Sequence, residues 1–387
     1  MSNSTHSKPL YLVSGGGTGG HVYPSLAVAS ALDHAGNTRV AYVGSPDGME
    51  GDLVRRESAL PFYAIDAAAV RGRSLPNLLR NIVRLMRGVV QAVRLIRHER
   101  PVAIFGTGGY VCVPLFLAAW LMRVPCAIYL PDVVPGLAVR LLSRIATVTL
   151  GSVPDAAPYL RLSAVDATTW HGNRRHLAVA GYPVRTMIHP DAGAALRQQL
   201  DIPIDMPLML VYGGSRGARS VNLAVAALLT HILPHAHVLH VCGREGDEST
   251  LRQYYQQLTP ELKSRYHLYP YLAADGAVTM TAALAAADFA VCRSGASVLG
   301  ELPAAQLPAI LVPYPYVHQD ENADYLVRHH AAQKVNDIQL PDELLPAMMY
   351  LITEVEARNA MRSAMASLAR PDAAMHMAHL LQRIAKG

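Results

Sequence analysis

The sequence predicts an α/β protein built from two doubly wound parallel-sheet units. Three observations carry that expectation. Short apolar runs alternate with helical patterns through the first half, the alternation restarts in the second half, and a glycine-rich loop follows the first strand of each. At 387 residues the chain is also long for a single compact core.

In the first half, strands are expected at 10–14, 39–44, 102–105, 125–130 and 147–150, and helices at 23–35, 76–98 and 114–121. In the second half, strands are expected at 207–212, 237–241, 267–268, 289–292 and 308–312. The segment 154–175 shows no period and reads as loop. The units are expected to join near 181–183, giving domains over 1–181 and 182–369. A last helix at about 373–385, within 370–387, is expected to return to the first domain.

A composition of 51% hydrophobic and 16% charged residues fits a large buried core and excludes a disordered chain. The formal charge of +5 is a mild excess that does not call for a nucleic-acid partner, and none is expected. Four cysteines, Cys112, Cys126, Cys242 and Cys292, stand far apart, so neither a disulfide framework nor a zinc site is expected, and reduced thiols in a cytoplasmic protein follow. The polar N-terminus shows no signal-peptide pattern, and the apolar stretch 111–122 is too short to span a bilayer. Any membrane contact is therefore expected to be peripheral.

Five motifs carry chemistry. The first is Ser14-Gly15-Gly16-Gly17-Thr18-Gly19-Gly20-His21, between a strand and a helix. Glycines let backbone approach a ligand, and the helix N-terminus favours negative charge. A dinucleotide loop would want an acid closing the second strand. That strand ends Gly44-Ser45, with Asp47 only beyond it, which weakens the nicotinamide reading. His21, at the loop mouth, is either a general base or a side chain that braces the loop. The second motif, Gly106-Thr107-Gly108-Gly109-Tyr110, ends another strand, as a ligand loop or a tight turn.

The third motif, Gly213-Gly214-Ser215-Arg216-Gly217-Ala218, repeats the glycine loop, with Ser215 placed to donate to a phosphate. The fourth, Cys292-Arg293-Ser294-Gly295-Ala296-Ser297-Val298-Leu299-Gly300-Glu301, has a turn at Gly295 that would aim backbone N–H groups at a diphosphate. Glu301, about one and a half turns on, would accept both hydroxyls of a ribose or merely complement the helix dipole. The fifth runs Pro313-Tyr314-Pro315-Tyr316-Val317-His318-Gln319-Asp320-Glu321-Asn322-Ala323, whose polar side chains suit sugar hydroxyls or plain solvent exposure.

In this order and spacing the five loops resemble the MurG family. These bacterial transferases add N-acetylglucosamine to the undecaprenyl-pyrophosphoryl-muramoyl-pentapeptide lipid, and the resemblance covers nearly the whole chain. It implies a GT-B fold, two Rossmann-like domains facing a cleft, with acceptor on the N-terminal domain and UDP-N-acetylglucosamine on the C-terminal one. It implies that Arg185, Ser215 and the turn of Ala296, Ser297 and Val298 lie on the donor side. Leu272 would meet uracil through its backbone, Glu301 would hold the ribose, and His318 and Gln319 would hold sugar hydroxyls. Thr18, Gly19, Gly20, His21 and Tyr110 would line the acceptor side. Two positions depart from the family pattern. Asp132, in Tyr129-Leu130-Pro131-Asp132, replaces an asparagine and would either oppose an acceptor pyrophosphate or serve as a base, and Val298 replaces a threonine.

Between 71 and 100 there are eight arginines and a single acid, Glu99, with Leu78, Leu79, Ile82, Leu85, Met86, Val89 and Val93 at roughly helical spacing. A basic amphipathic helix reads as a membrane-surface element or as a core helix with a solvated basic face. A lipid-linked acceptor favours the first, on an anionic membrane at the cytoplasmic face. No DxD pair stands in a suitable loop, so no metal and no cofactor beyond the UDP-sugar substrate are expected. The expected reaction is a single inverting displacement, the acceptor hydroxyl being deprotonated by His21 or Asp132. The alternatives are a related transferase with another lipid acceptor, a UDP-sugar 2-epimerase, and a non-catalytic UDP-sugar or lipid binder.

Overall fold

The computed structural model describes residues 8–17, 19–34, 36–68, 75–184, 188–244, 246–273 and 276–386. Two compact units result, one of Met1–Arg185 with Pro371–Gly387, the other of Thr186–Arg370.

In the first unit the elements run β1 (Leu10–Ser14), α1 (Gly19–Asp33), β2 (Arg39–Gly44), α2 (Met49–Glu57), β3 (Phe62–Ala64), α3 (Leu75–Glu99), β4 (Ala103–Gly106) and α4 (Cys112–Leu121). They continue with β5 (Cys126–Leu130), α5 (Leu137–Leu142), β6 (Val148–Gly151), β7 (Ser163–Asp166) and β8 (His176–Val179). The eight strands lie in the order β3-β2-β1-β4-β5-β6-β8-β7, and the paired strands are parallel. Every residue of β1, β4, β5 and β6 is buried, as a parallel sheet covered on both faces requires.

The second unit holds α6 (Pro190–Gln199), β9 (Leu208–Tyr212), α7 (Arg219–Ile232), β10 (His237–Val241), α8 (Glu248–Gln257), α9 (Pro260–Lys263), β11 (Tyr266–Tyr269) and α10 (Met280–Ala286). It continues with β12 (Phe289–Cys292), α11 (Val298–Ala305), β13 (Ala309–Leu311), α12 (Asp320–Arg328), β14 (Ala332–Lys334), α13 (Leu340–Thr353) and α14 (Val355–Leu368). Its six strands run β11-β10-β9-β12-β13-β14, again parallel. Counted within the unit this is the 3-2-1-4-5-6 order of a dinucleotide-type sheet.

The last helix, α15 (Ala373–Ala385), packs on α1 in the first unit, where Met377, Leu381 and Ile384 share a core with Val22, Leu26 and Ala29. Arg383 holds it further, donating to the Trp170 carbonyl with its guanidinium over the Trp170 ring.

The segment expected as loop, 154–175, is corrected by the structure. It contains β7 and three short 3-10 turns, Pro154–Ala156, Pro158–Leu160 and Ala167–Thr169. β7 is an edge strand with mostly exposed side chains, so it carries no apolar alternation. The first helix also starts earlier than expected, at Gly19. The left-handed turn ends at Gly17 (φ +89°), and His21 therefore sits in the first helical turn rather than at a loop mouth.

Candidate functional site

In doubly wound sheets ligands bind beyond the C-terminal strand ends, where the strand order reverses. In the first unit that point lies between β1 and β4, and in the second between β9 and β12. The loops leaving these four strands are the first four glycine motifs of the sequence.

In the first unit the two loops interlock. Gly109 (φ +80°) leaves room for the backbone of Gly16, since a Cβ there would lie 2.5 Å from the Gly16 carbonyl oxygen. The Tyr42 hydroxyl donates to the Gly15 carbonyl at 2.5 Å, fixing the loop from below. Glu50 is fully buried beside Gly16, and its Oε1 accepts from the Ser45 amide (2.9 Å) and hydroxyl (2.6 Å). Its Oε2 has no hydrogen-bond partner among the described residues.

This platform orients His21. Its Nδ1 lies 2.8 Å from the Thr107 carbonyl oxygen. A carbonyl only accepts, so Nδ1 carries the proton and Nε2 keeps its lone pair. The Thr107 hydroxyl donates to the His21 carbonyl at 2.7 Å and lies 3.2 Å from the Ser25 hydroxyl. Burial lowers the His21 pKa, while the charge of Asp132 and the Thr107 hydrogen bond act in the opposite direction. Asp132 follows β5 and is thus close enough to His21 to act on its charge. Gly19 and Gly20 form the start of α1, and half-buried Tyr110 stands beside Gly17. Thr18 lies outside the described residues.

Thr107 stands in the second glycine motif, but nothing in that motif assigns it the orienting role it has here. The signal present was its position: it is the polar side chain that directly follows β4, just ahead of the positive-φ glycines Gly108 and Gly109.

In the second unit Ser215 is exposed on the turn after β9. The β12 turn is tied to the loop after β13, where the Ser294 hydroxyl donates to the Gln319 carbonyl (2.9 Å) and Asn322 Nδ2 donates to the Ser294 carbonyl (3.0 Å). Gln319 Oε1 accepts from the Tyr314 amide at 3.0 Å, and its Nε2 sits beside Gly295. His318 is exposed and 3.6 Å from the Glu321 carboxylate. Leu272 buries its side chain, which leaves its backbone as the part able to meet a ligand. Val298 is buried and its amide donates to the Gly295 carbonyl at 3.0 Å; Ala296 is buried as well, and Ser297 between them is half-buried.

Glu301 lies in the first turn of α11, nearer the helix start than its spacing from Gly295 suggests. Burial pushes its carboxyl up to about 7, against an opposing hydrogen bond from Ser297. Arg293 points away from this edge: it donates to Asp337 (2.5 Å), to Ser220 (2.7 Å) and to the carbonyls of Val312 and Pro313. It therefore clamps the strand ends rather than facing a ligand. Arg185 lies outside the described residues.

On the surface of the first unit, α3 exposes a second apolar face. Leu79 (63%), Val83 (67%) and Met86 (58%) are open to solvent, while Val89, Ala92 and Ile96 face the core. The expected stripe thus divides in two, with Leu79, Ile82 and Met86 outward and Val89 inward. Neighbouring α4 adds exposed Trp120 and Leu121. Arg84 pairs with Asp47 (2.6 Å) and Arg87 with Asp66 (3.0 Å). Arg71 and Arg73 lie outside the described residues. Among those described, no helix is long and apolar enough to cross a membrane, and no cluster of three or more His, Cys, Asp or Glu is set to hold a metal.

Comparison with known proteins decides the family. The model described as the glycosyltransferase family 28 N-terminal domain matches residues 11–150, and that of the C-terminal domain matches residues 208–377. The chain belongs to glycosyltransferase family 28. Among family 28 relatives, a protein of Roseiflexus sp. strain RS-1 is 50% identical, with 96% of this chain and 94% of the relative covered. It is named UDP-N-acetylglucosamine–N-acetylmuramyl-(pentapeptide) pyrophosphoryl-undecaprenol N-acetylglucosamine transferase. A relative of the same name from Desulforudis audaxviator is 34% identical, covering 97% of this chain and 98% of its own. Among solved structures, Acinetobacter baumannii MurG matches with a TM-score of 0.73 at 26% identity, covering 97% of this chain and 100% of that one. The two parallel-sheet units of this family 28 chain are of the GT-B class that the sequence predicted.

Proposed function

We propose that the chain transfers N-acetylglucosamine from UDP-N-acetylglucosamine to the muramoyl-pentapeptide pyrophosphoryl-undecaprenol lipid, converting lipid I to lipid II in peptidoglycan synthesis. The observation that carries this reading is the 50% identity, over 96% of the chain, to a relative named for that transfer.

The first unit supplies the base. Burial keeps the His21 imidazole neutral, the Thr107 carbonyl fixes the tautomer, and Nε2 takes the proton of the acceptor hydroxyl. The imidazolium formed is stabilised by Asp132, so Asp132 supports the base rather than replacing it. The glycine loops and the N-terminus of α1, with Thr18, Gly19, Gly20 and Tyr110, hold the acceptor, whose pyrophosphate suits a positive helix end.

The second unit holds the donor. Ser215 and the Ala296–Ser297 turn meet the diphosphate, the Leu272 backbone meets uracil, Glu301 accepts the ribose hydroxyls, and Gln319 with His318 meets the sugar. Arg185 adds a positive charge on the donor side. Fixed donors of this kind stabilise the leaving diphosphate without a divalent ion. One displacement from the face opposite UDP inverts the anomeric centre.

The enzyme works as a peripheral protein at the cytoplasmic face of the membrane. The outward apolar face of α3 enters the interface, and each basic side chain near an anionic leaflet adds about 1 kcal/mol. Incubation with donor alone and with donor plus lipid acceptor tests the reading. A disaccharide lipid, with no epimerised donor, is the expected product. Epimerised donor without acceptor, or donor binding with no turnover on the lipid, would overturn it.

A further inference from the structure

β10 and β11 pair in parallel with Val241 opposite Tyr269, so the segments that follow leave the sheet side by side. Gly243 (φ +91°) then packs against Gly217 (φ +91°), and a Cβ on either would collide with the backbone around the other. This locks the loop after β10 onto the loop that carries Ser215. The next amide, that of Arg244, donates to the Ser215 carbonyl at 3.3 Å. The Arg244 side chain reaches the other way, and its guanidinium lies 3.8 Å from the centroid of the Tyr271 ring. Tyr271 immediately precedes Leu272. One residue therefore links the turn assigned to the diphosphate with the turn assigned to the base.

Neighbouring arginines have other work. Arg219 is held by Asp247 (2.5 Å) and Arg293 by Asp337 (2.5 Å). Arg244 instead has its guanidinium carbon over an aromatic ring, with its side chain exposed. A guanidinium is planar and weakly hydrated, so one face can stack on tyrosine while the other accepts a flat heterocycle.

We propose that Arg244, stacked on Tyr271, forms the platform on which the pyrimidine ring of the donor nucleotide stacks. It is a binding residue for the nucleoside end of the donor, and Tyr271 positions it. The inference rests on the UDP-sugar reading above and adds to it a residue that the sequence motifs did not contain.

Calorimetric titration of the full chain with UDP, UMP and inorganic pyrophosphate tests it. Arg244→Ala is expected to weaken UDP and UMP alike by about tenfold and to leave pyrophosphate unchanged. Arg244→Lys keeps the charge but not the plane and should lose about as much, as should Tyr271→Ala. Wild-type UDP affinity in Arg244→Ala would overturn the proposal. Full recovery in Arg244→Lys, together with weaker pyrophosphate binding in Arg244→Ala, would overturn it in favour of a charge role. A wild-type chain that binds no UDP would remove the donor reading and this inference together.

Discussion

His21 Nδ1 donates to the Thr107 carbonyl oxygen across 2.8 Å, and the Thr107 hydroxyl returns a hydrogen bond to the His21 carbonyl at 2.7 Å. This reciprocal pair joins the N-terminus of α1 to the end of β4 and aims Nε2 away from both. His21→Ala should lower kcat by about a hundredfold or more, while UDP affinity measured by calorimetry stays at the wild-type value. Turnover near wild type would remove His21 as the base.

Thr107→Val keeps the carbonyl but deletes the hydroxyl. The Ser25 hydroxyl then loses a buried neighbour, and the His21 carbonyl loses one of its two hydroxyl donors, keeping that of Ser25 at 3.2 Å. A loss of about 1–2 kcal/mol in denaturant unfolding is expected, with a fall in kcat and little change in donor affinity. A variant as stable and active as wild type would make the pair incidental.

Asp132 raises the pKa of His21 against the lowering caused by burial. In Asp132→Asn the lowering by burial is opposed by the Thr107 hydrogen bond alone. The imidazole is neutral above its pKa, so the acid limb of the kcat–pH profile should move to lower pH, and kcat should fall because the imidazolium loses its partner. An unmoved limb would show that the two groups are not coupled.

Glu301 titrates at about 7, raised by burial. A ribose that donates to the carboxylate binds the ionised form, so donor affinity is full above about pH 8 and declines as pH falls through 7. The donor Kd should rise about tenfold between pH 8 and pH 6, and Glu301→Gln should show weak, pH-independent binding. The effect on stability has the opposite direction. A carboxyl whose folded pKa is raised favours the folded state most below its unfolded value and loses that contribution as pH rises through 7.

On α3, Val83→Glu should cut sedimentation with anionic vesicles without lowering the thermal midpoint, because Val83 is two-thirds exposed (67%). Neutralising Arg84 or Arg87 should matter less, since Asp47 and Asp66 already balance those charges. Unchanged vesicle binding in Val83→Glu would sink the membrane-surface role.

The sheets were legible because parallel strands buried on both faces read as continuous apolar runs, as in β1, β5 and β9. Four strands escaped notice: β3, β7 and β14 lie at sheet edges, β8 lies between β6 and β7, and each is only three or four residues long, so neither period nor hydrophobicity marks them. The glycine motifs announced the ligand edges, because close approach leaves a compositional trace. Partner choice leaves none. Nothing in the sequence distinguishes Arg293, which turns inward to Asp337, from Arg244, which lies on Tyr271. Nor does it reveal that Thr107, rather than a carboxylate, orients His21.

The most direct measurement is product analysis after incubation of the chain with labelled UDP-N-acetylglucosamine and the muramoyl-pentapeptide lipid in the presence of a metal chelator. A β-linked disaccharide lipid, formed at the same rate with and without chelator, is the expected product. An absent product, an α-linked product, or activity that returns only on adding a divalent ion would contradict inverting, metal-independent transfer.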